Sequence, residues 1–515
     1  MDKNFNTLCH ACRTGDLESA DRMISTGVDL NQVDKFDNSP LFLASLCGHE
    51  KVVKLLLRSG ALCDRDRQEG ARCIYGALTD SIRDILLSYD ISKATDMNQP
   101  FAMHLSSLLV APAIVTYDME LNVAQGHLPA HKFMLQARCP ILNDNRGYDV
   151  QEMFGNWFDL DVDVRASHVL ELFLKFIYLV PILHTITAED YDYLIKIAQK
   201  LEMNMFAEFM NKVRHVADPS EKSSMMISYQ HKFTNLAKEQ LKHFVDKYII
   251  DSAVLLTGEE KSIKEISSCS FSQHTYPDVL LSVKNHENEL KIYPCHLAVL
   301  MRADYFKVIF TDKFSETVAY QESKENRGDG CPYPILELPT FDLFVVEIML
   351  RYLYFDEANI PWQYAMEVIK LGDFILADRL KSMAATVVTQ SPKVLERYTI
   401  FQILYFAWET RLERLEHFAA KQVAGEIRAL KRSKSFREAI VKSAQRISSR
   451  EETDTIEFVD DIRFYLLEKY RLESDDIWFL EEETDQQFLK ESGLLDYQYD
   501  VSLLNDILQE LGLEA

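Results

Sequence analysis

Leu8, Ala11, Gly15 and Gly27 recur as Leu41, Ala44, Gly48 and Gly60, a displacement of 33 residues (8 to 41). A fixed period of this length restricts a chain to stacked supersecondary units, because each unit buries its apolar face only against the next. The second copy, DNSPLFLASLCGHEKVVKLLLRSGA, is the fuller. Pro40 suits a first helical turn, where its missing N–H is not needed. Gly48 and His49 make the turn into a second helix over residues 52–57, and Gly60 suits a left-handed cap behind it. In a third, degenerate copy Ile74 and Ala77 keep register with Leu41 and Ala44, and 85–87 with 52–54, while Ser81 replaces the glycine. The expectation is two helix pairs and a third pair that caps the stack.

Residues 1–95 resemble ankyrin repeats, through Ser39-Pro40-Leu41, Gly48-His49 and the apolar run that follows. The resemblance implies a concave face and exposed fingertips. Residues 34–38 (DKFDN) form the fingertip between the two clear copies, and Lys35, Phe36 and Asp37 are its candidate partner-contacting residues. An exposed aromatic suits an interface; a solvated turn, or a stack serving as an architectural cap, is the plainer alternative. Cys9 and Cys12 have the spacing of half a zinc knuckle. No second pair follows at suitable spacing, and Leu8 and Ala11 already have repeat roles, so no metal is expected.

The stretch 278–316 carries the second constraint. Val279, Leu281 and Val283 alternate with Leu280 and Ser282 as in a short strand; a polar turn over 284–289 leads to a second strand at 290–293. From His296 the period becomes helical, with Leu297, Leu300 and Met301 on one face, then Tyr305, Phe306, Ile309 and Phe310. Asp278-Val279, His296, Asp304-Tyr305-Phe306, and Phe310 followed by Phe314-Ser315-Glu316 resemble the BTB/POZ family; 335–338 is similar to its next strand, and 344–354 and 365–380 to its closing helices. A divergent copy of the plan occupies 105–215. Residues 114–121 read as its strand, Ala130-His131-Lys132 open its helix, and 169–178 and 193–205 resemble closing helices. The polar segment 143–149 would break a helix there. His131 and His296 lie 165 residues apart (131 to 296). As openers of packed helices both are structural, since no nucleophile or orienting group accompanies them.

The domain plan is therefore 1–95, 105–215, a helical insertion over 216–272, a second BTB/POZ domain over 273–390, and a helical region over 391–515. Within the insertion 218–229 reads as a loop, 235–250 as a helix, and 257–272 as a polar, mobile stretch. The final region resembles the helical extension, BACK-like, that follows BTB domains in ligase adaptors. The fold class is α+β, multidomain and predominantly helical. In the final region 431–446 is basic, a solvated helix face, a nuclear localisation signal or a phosphorylation target, and 501–513 has the spacing of a helix that docks.

The BTB resemblance implies function. In family members that recruit cullin-3 scaffolds of ubiquitin ligases, the loop after the helical hairpin carries an apolar residue, any residue, then Glu. Phe314-Ser315-Glu316 matches, with Phe310 and Tyr305 as neighbouring candidates; Val150 and Glu152 form a weaker second match. This implies a non-enzymatic adaptor holding a cullin-3-type scaffold and an unknown substrate protein. BTB domains also pair with each other, here within the chain or as a homodimer. A cullin-independent scaffold in transcription or translation control is the alternative, and it would bury Phe314 in its own domain. The formal charge of −24 disfavours nucleic acid and anionic membrane as partners. No apolar run reaches spanning length, no phosphate-binding or hydrolase motif occurs, and no cofactor is expected. Nine scattered Cys suit a reducing compartment, the cytoplasm with the nucleus as alternative.

Overall fold

The structure, a computed structural model, describes residues 3–25, 28, 30, 32–58, 61, 63, 68–93, 98–109, 114–123, 126–143, 150, 154, 164–180, 186–216, 219–256, 271–272, 274–311, 314–325, 333–446, 456–472 and 493–513. It divides into two compact units, 1–357 and 358–515.

The first unit opens with three helix pairs: α1 (Lys3–Thr14) with α2 (Leu17–Ser25), α3 (Pro40–Leu46) with α4 (Glu50–Arg58), and α5 (Gln68–Tyr75) with α6 (Asp80–Lys93). Their shared core contains Leu8, Ala11, Leu41, Ala44, Val52, Leu56, Ile74 and Ala77, the positions the period marks. Gly15 and Gly48 take φ of 75° and 80°, a left-handed turn that favours glycine. A Cβ on Gly15 would lie 2.5 Å from the His49 ring, whose Nε2 sits 2.9 Å from the Arg13 carbonyl and so ties the first two pairs together. Ser39 caps α3 and Pro40 begins it, as the sequence implies. Gly27 and Gly60 lie outside the described residues. Cys9 and Cys12 are buried in this core, and burial pushes their thiols up to about 11 and about 12. The third pair leaves Tyr75 and Leu78 exposed (80% and 64%), and the Leu78 N–H donates to the Ser45 carbonyl (3.1 Å), tying it to the second pair.

After α7 (Asn98–Ser107) comes the hairpin β1 (Met119–Val123) and β2 (Gly126–Ala130), then α8 (Lys132–Arg138), α9 (Pro140–Asn143), α10 (Val164–Ile177), α11 (Asp190–Lys200) and α12 (Asn204–Arg214). The strand begins five residues later than 114 (114 to 119), and ahead of it the Thr116 and Asp118 side chains reach the start of α8. The expected helix over 193–205 is two helices, joined through Glu202 at φ 59°.

α13 (Pro219–Phe244) runs 26 residues and continues as a π-helical turn, Val245–Ile250. Of the loop expected over 218–229, residues 219–229 are helix, and Pro219 is the first residue of that helix, where proline is tolerated; 218 lies outside the described residues. α13 packs against α2, α7, α8 and α12, and against α17 described next. The stretch 257–270 lies outside the described residues. A four-stranded sheet follows in the order β3-β5-β4-β6: β3 (Val254–Leu256), β4 (Val279–Lys284), β5 (Leu290–Cys295) and β6 (Ile335–Leu338). β4 pairs antiparallel with β5 and parallel with β6. Between β5 and β6 lie α14 (Leu297–Leu300), α15 (Asp304–Thr311) and α16 (Ser315–Glu325); α17 (Leu343–Phe355) closes the unit.

The second unit holds α18 (Ala365–Phe374), α19 (Asp378–Gln390), α20 (Val394–Arg397), α21 (Ile400–Thr410), α22 (Glu413–Leu430), α23 (Lys434–Gln445), α24 (Glu457–Tyr470) and α25 (Leu494–Leu511). A reciprocal Thr399/Gln402 capping box starts α21. The terminal helix docks through Leu504, Ile507 and Leu508. It also brings a fully buried Asp500 to Arg428 (2.5 Å), Tyr470 (2.7 Å) and Lys469 (3.0 Å). In α23 Phe436, Ala439 and Ile440 are buried while Lys434 and Lys442 face solvent, the amphipathic face the basic stretch implies.

Candidate partner-binding edge

The scaffold of the edge is a hydrogen-bonded ring at the start of α14. Asp278 accepts from the backbone N–H of Leu297 (2.8 Å) and from the Tyr320 hydroxyl (2.9 Å), anchoring both α14 and α16. The His296 N–H donates to the Tyr354 hydroxyl oxygen (3.0 Å), and that hydroxyl is 2.8 Å from His296 Nδ1. His296 Nε2 is 2.8 Å from the Thr275 carbonyl, which can only accept. The ring is therefore protonated at Nε2, and Tyr354 donates to Nδ1. His296 is buried and all its polar atoms are engaged, which makes it a structural residue, as the sequence implies.

On this scaffold α15 and α16 form a helical hairpin. Phe306 and Phe310 point inward at 0% and 1% exposure, and Phe310 meets Tyr320 edge-on at 5.7 Å. Phe310 is thus a core residue and is removed from the candidate contacts. Phe314 behaves oppositely. It sits at the start of α16, its carbonyl accepting from Val318 N–H (3.3 Å), and its side chain is 46% exposed. Thr317 Oγ1 donates to the Ile309 carbonyl (2.8 Å) and pins the hairpin closed beside it. Glu316 is half-buried with Ser315 Oγ 2.9 Å from its carboxylate. Burial, then the Glu316 charge, raises the half-buried Tyr305 phenol, so the two share one side of the hairpin. Val308 and Val318, 50% and 48% exposed, extend the apolar surface. The sequence reasoning missed both, although each stands at helical spacing from a named candidate, Tyr305 to Val308 and Phe314 to Val318. The surface is apolar with carboxylates beside it, which is the composition of an interface core and rim.

Val150 is fully buried, which removes it as an anchor, and Glu152 lies outside the described residues. At the ankyrin fingertip the Asp34 carboxylate accepts from the N–H groups of Phe36 (2.8 Å) and Asn38 (3.0 Å) and pairs with Arg13 (2.8 Å). Burial raises the Asp34 carboxyl, but these bonds and the Arg13 charge outweigh it and hold the group below its usual range. Arg72 donates to the carbonyl of Asp37 (2.7 Å), which sits at φ 62°. The tip is thereby braced, and Phe36 projects from it, 65% exposed, with Lys35 Nζ 4.8 Å from its ring.

Among the described residues no group of three or more His, Cys, Asp or Glu side chains is placed to hold a metal ion, and no helix is long and apolar enough to cross a membrane.

Comparison with known proteins agrees with this architecture. The family model for ankyrin repeats matches residues 8–57, and that for the BTB/POZ domain matches 268–391, a span that draws on both compact units. An ankyrin repeat-containing protein of Saccharomyces cerevisiae is 50% identical over 520 aligned residues, covering 100% of this chain and 99% of the relative. BTB/POZ domain-containing protein 3 of Schizosaccharomyces pombe is 35% identical over 524 aligned residues, covering 100% of this chain and 90% of the relative. With protein-interaction modules built from both its repeats and its sheet domain, the chain belongs to the family of ankyrin repeat and BTB/POZ domain-containing proteins.

Proposed function

We propose that the protein is the substrate-recruiting subunit of a cullin-3-type ubiquitin ligase, acting in the cytoplasm. Phe314 would fill a pocket on the scaffold, Glu316 would orient the contact, and Tyr305, Val308 and Val318 would complete the surface. The carrying observation is the contrast within one hairpin: Phe306 and Phe310 are buried, while Phe314 is 46% exposed beside a carboxylate. The braced fingertip with Phe36 is the proposed substrate contact. The adaptor supplies no reacting group; it raises the effective concentration of substrate at the ligase.

Binding of the full chain to the N-terminal region of cullin-3 tests this. Removing an aromatic anchor and its flanking charge costs about 2–4 kcal/mol, so Phe314→Ala with Glu316→Ala should weaken binding by roughly 30-fold to 1,000-fold. Unchanged circular dichroism would show that the fold is retained. A wild-type chain that does not bind, or a double variant that binds equally well, refutes the reading.

A further inference from the structure

The ring around His296 has a counterpart in the first half of the chain. His131 N–H donates to the Tyr178 hydroxyl oxygen (2.8 Å), that hydroxyl is 2.9 Å from His131 Nδ1, Thr116 is 3.0 Å from Nε2, and Asp118 accepts from Lys132 N–H (2.8 Å). A second pair of counterparts is Arg302, which donates to the carbonyl of Leu353 just before Tyr354, and Arg138, which donates to that of Ile177 just before Tyr178. The same device thus holds two copies of one arrangement, 116–180 and 275–356.

The copies face each other, and their contacts are reciprocal. The helix preceding the first copy, α7, reaches the second: His104 Nε2 is 2.8 Å from the Ala298 carbonyl. The helix preceding the second copy, α13, reaches the first: Arg138 donates to Gln240 (2.5 Å). Lys132 of the first copy lies 5.8 Å from the Tyr276 ring of the second, and Lys324 of the second lies 5.1 Å from the Tyr117 ring of the first. At the centre the Phe133 ring stacks on His296, 4.1 Å between centroids and 23° between planes, and both rings are buried.

The first copy also differs from the second. Val180 stands two residues after Tyr178, where Asp356 stands two after Tyr354 and pairs with Arg302 at 2.5 Å. Arg138 lies fully buried with Nη2 unpaired, and its side-chain partner is the amide oxygen of Gln240 on α13. Val150 is buried where an exposed anchor would be needed.

We propose that the first copy is a built-in partner for the second: it occupies within one chain the face that a second molecule would otherwise cover, so that the protein is a monomer presenting one exposed edge. The claim is independent of the ligase reading, since it concerns only what covers this face. The full chain is tested by light scattering after gel filtration, with a lysine-reactive cross-linker applied to the same fraction. The expected result is a single-chain mass and a cross-link between Lys132 and Lys324, which flank the same junction, in the single-chain band. A two-chain mass, or a single-chain band without that cross-link, overturns the proposal.

Discussion

Tyr354 holds His296 in one tautomer, and Tyr354 and Tyr178 each accept from the backbone N–H of the histidine they touch. A buried donor and acceptor lose their partner together when the hydroxyl is removed, a loss worth about 1–3 kcal/mol. Tyr354→Phe should therefore lower unfolding stability by that amount in denaturant titration, with little change of shape, and Tyr178→Phe should do the same. The histidines themselves set a pH dependence. Burial, then the neighbouring His296 and Lys324, hold His131 down to about 3, so the folded chain keeps it neutral. An unfolded chain takes up a proton near pH 6.5. Stability should be full above about pH 6.5 and fall below it by about 1.4 kcal/mol per pH unit for this residue. Denaturant midpoints measured from pH 7.5 to 5 check this; a flat profile would mean His131 is reached by water. His131 and His296 were legible from sequence as helix openers. Their tyrosines were not, because they lie 47 and 58 residues away and only the folded chain brings them close. Phe310 and Phe314 show the same limit: four residues apart in one motif, they face core and water respectively.

At the scale of elements, what repeats is what could be read. The 33-residue period (8 to 41) marked the helix pairs and their glycine turns. Gly15→Ala would force a side chain to φ 75° and drive its Cβ against His49, breaking the ring's contact with Arg13. A cost of roughly 1–3 kcal/mol is expected, visible as a lower thermal midpoint. Strands β4 and β5 formed where the alternation and the polar turn placed them, and β6 where the family resemblance did; β4 is buried on both faces over 279–283, so its apolar run is nearly continuous. α13 was misread at its start because polar residues around a proline are loop-like in composition. Position decides such cases, and Pro219 stands where the helix needs no N–H. In the second unit α25 is held by more than its leucines. Asp500→Ala would strip Arg428, Lys469 and Tyr470 of their common acceptor. It should cost about 1–3 kcal/mol and raise hydrogen exchange across 494–511 ahead of the rest of that unit.

For the whole molecule, the order of modules was legible because each carries a local pattern. How the copies meet was not, since that face is built from single residues, Phe133, His104 and Gln240, drawn from three separate segments. The candidate edge was half legible: the letters of Phe314-Ser315-Glu316 marked it, but only the fold separated its exposed ring from its buried neighbours and added Val308 and Val318. If the Phe314 edge holds a cullin-3-type scaffold and the first copy covers the pairing face, as proposed, the complex should be one to one. The most direct measurement is the mass of the complex between the full chain and the N-terminal region of cullin-3 by light scattering. One chain with one scaffold fragment is predicted for the wild type, and free chain for Phe314→Ala with Glu316→Ala. A wild type that stays free would contradict the account, as would a complex that survives in the double variant.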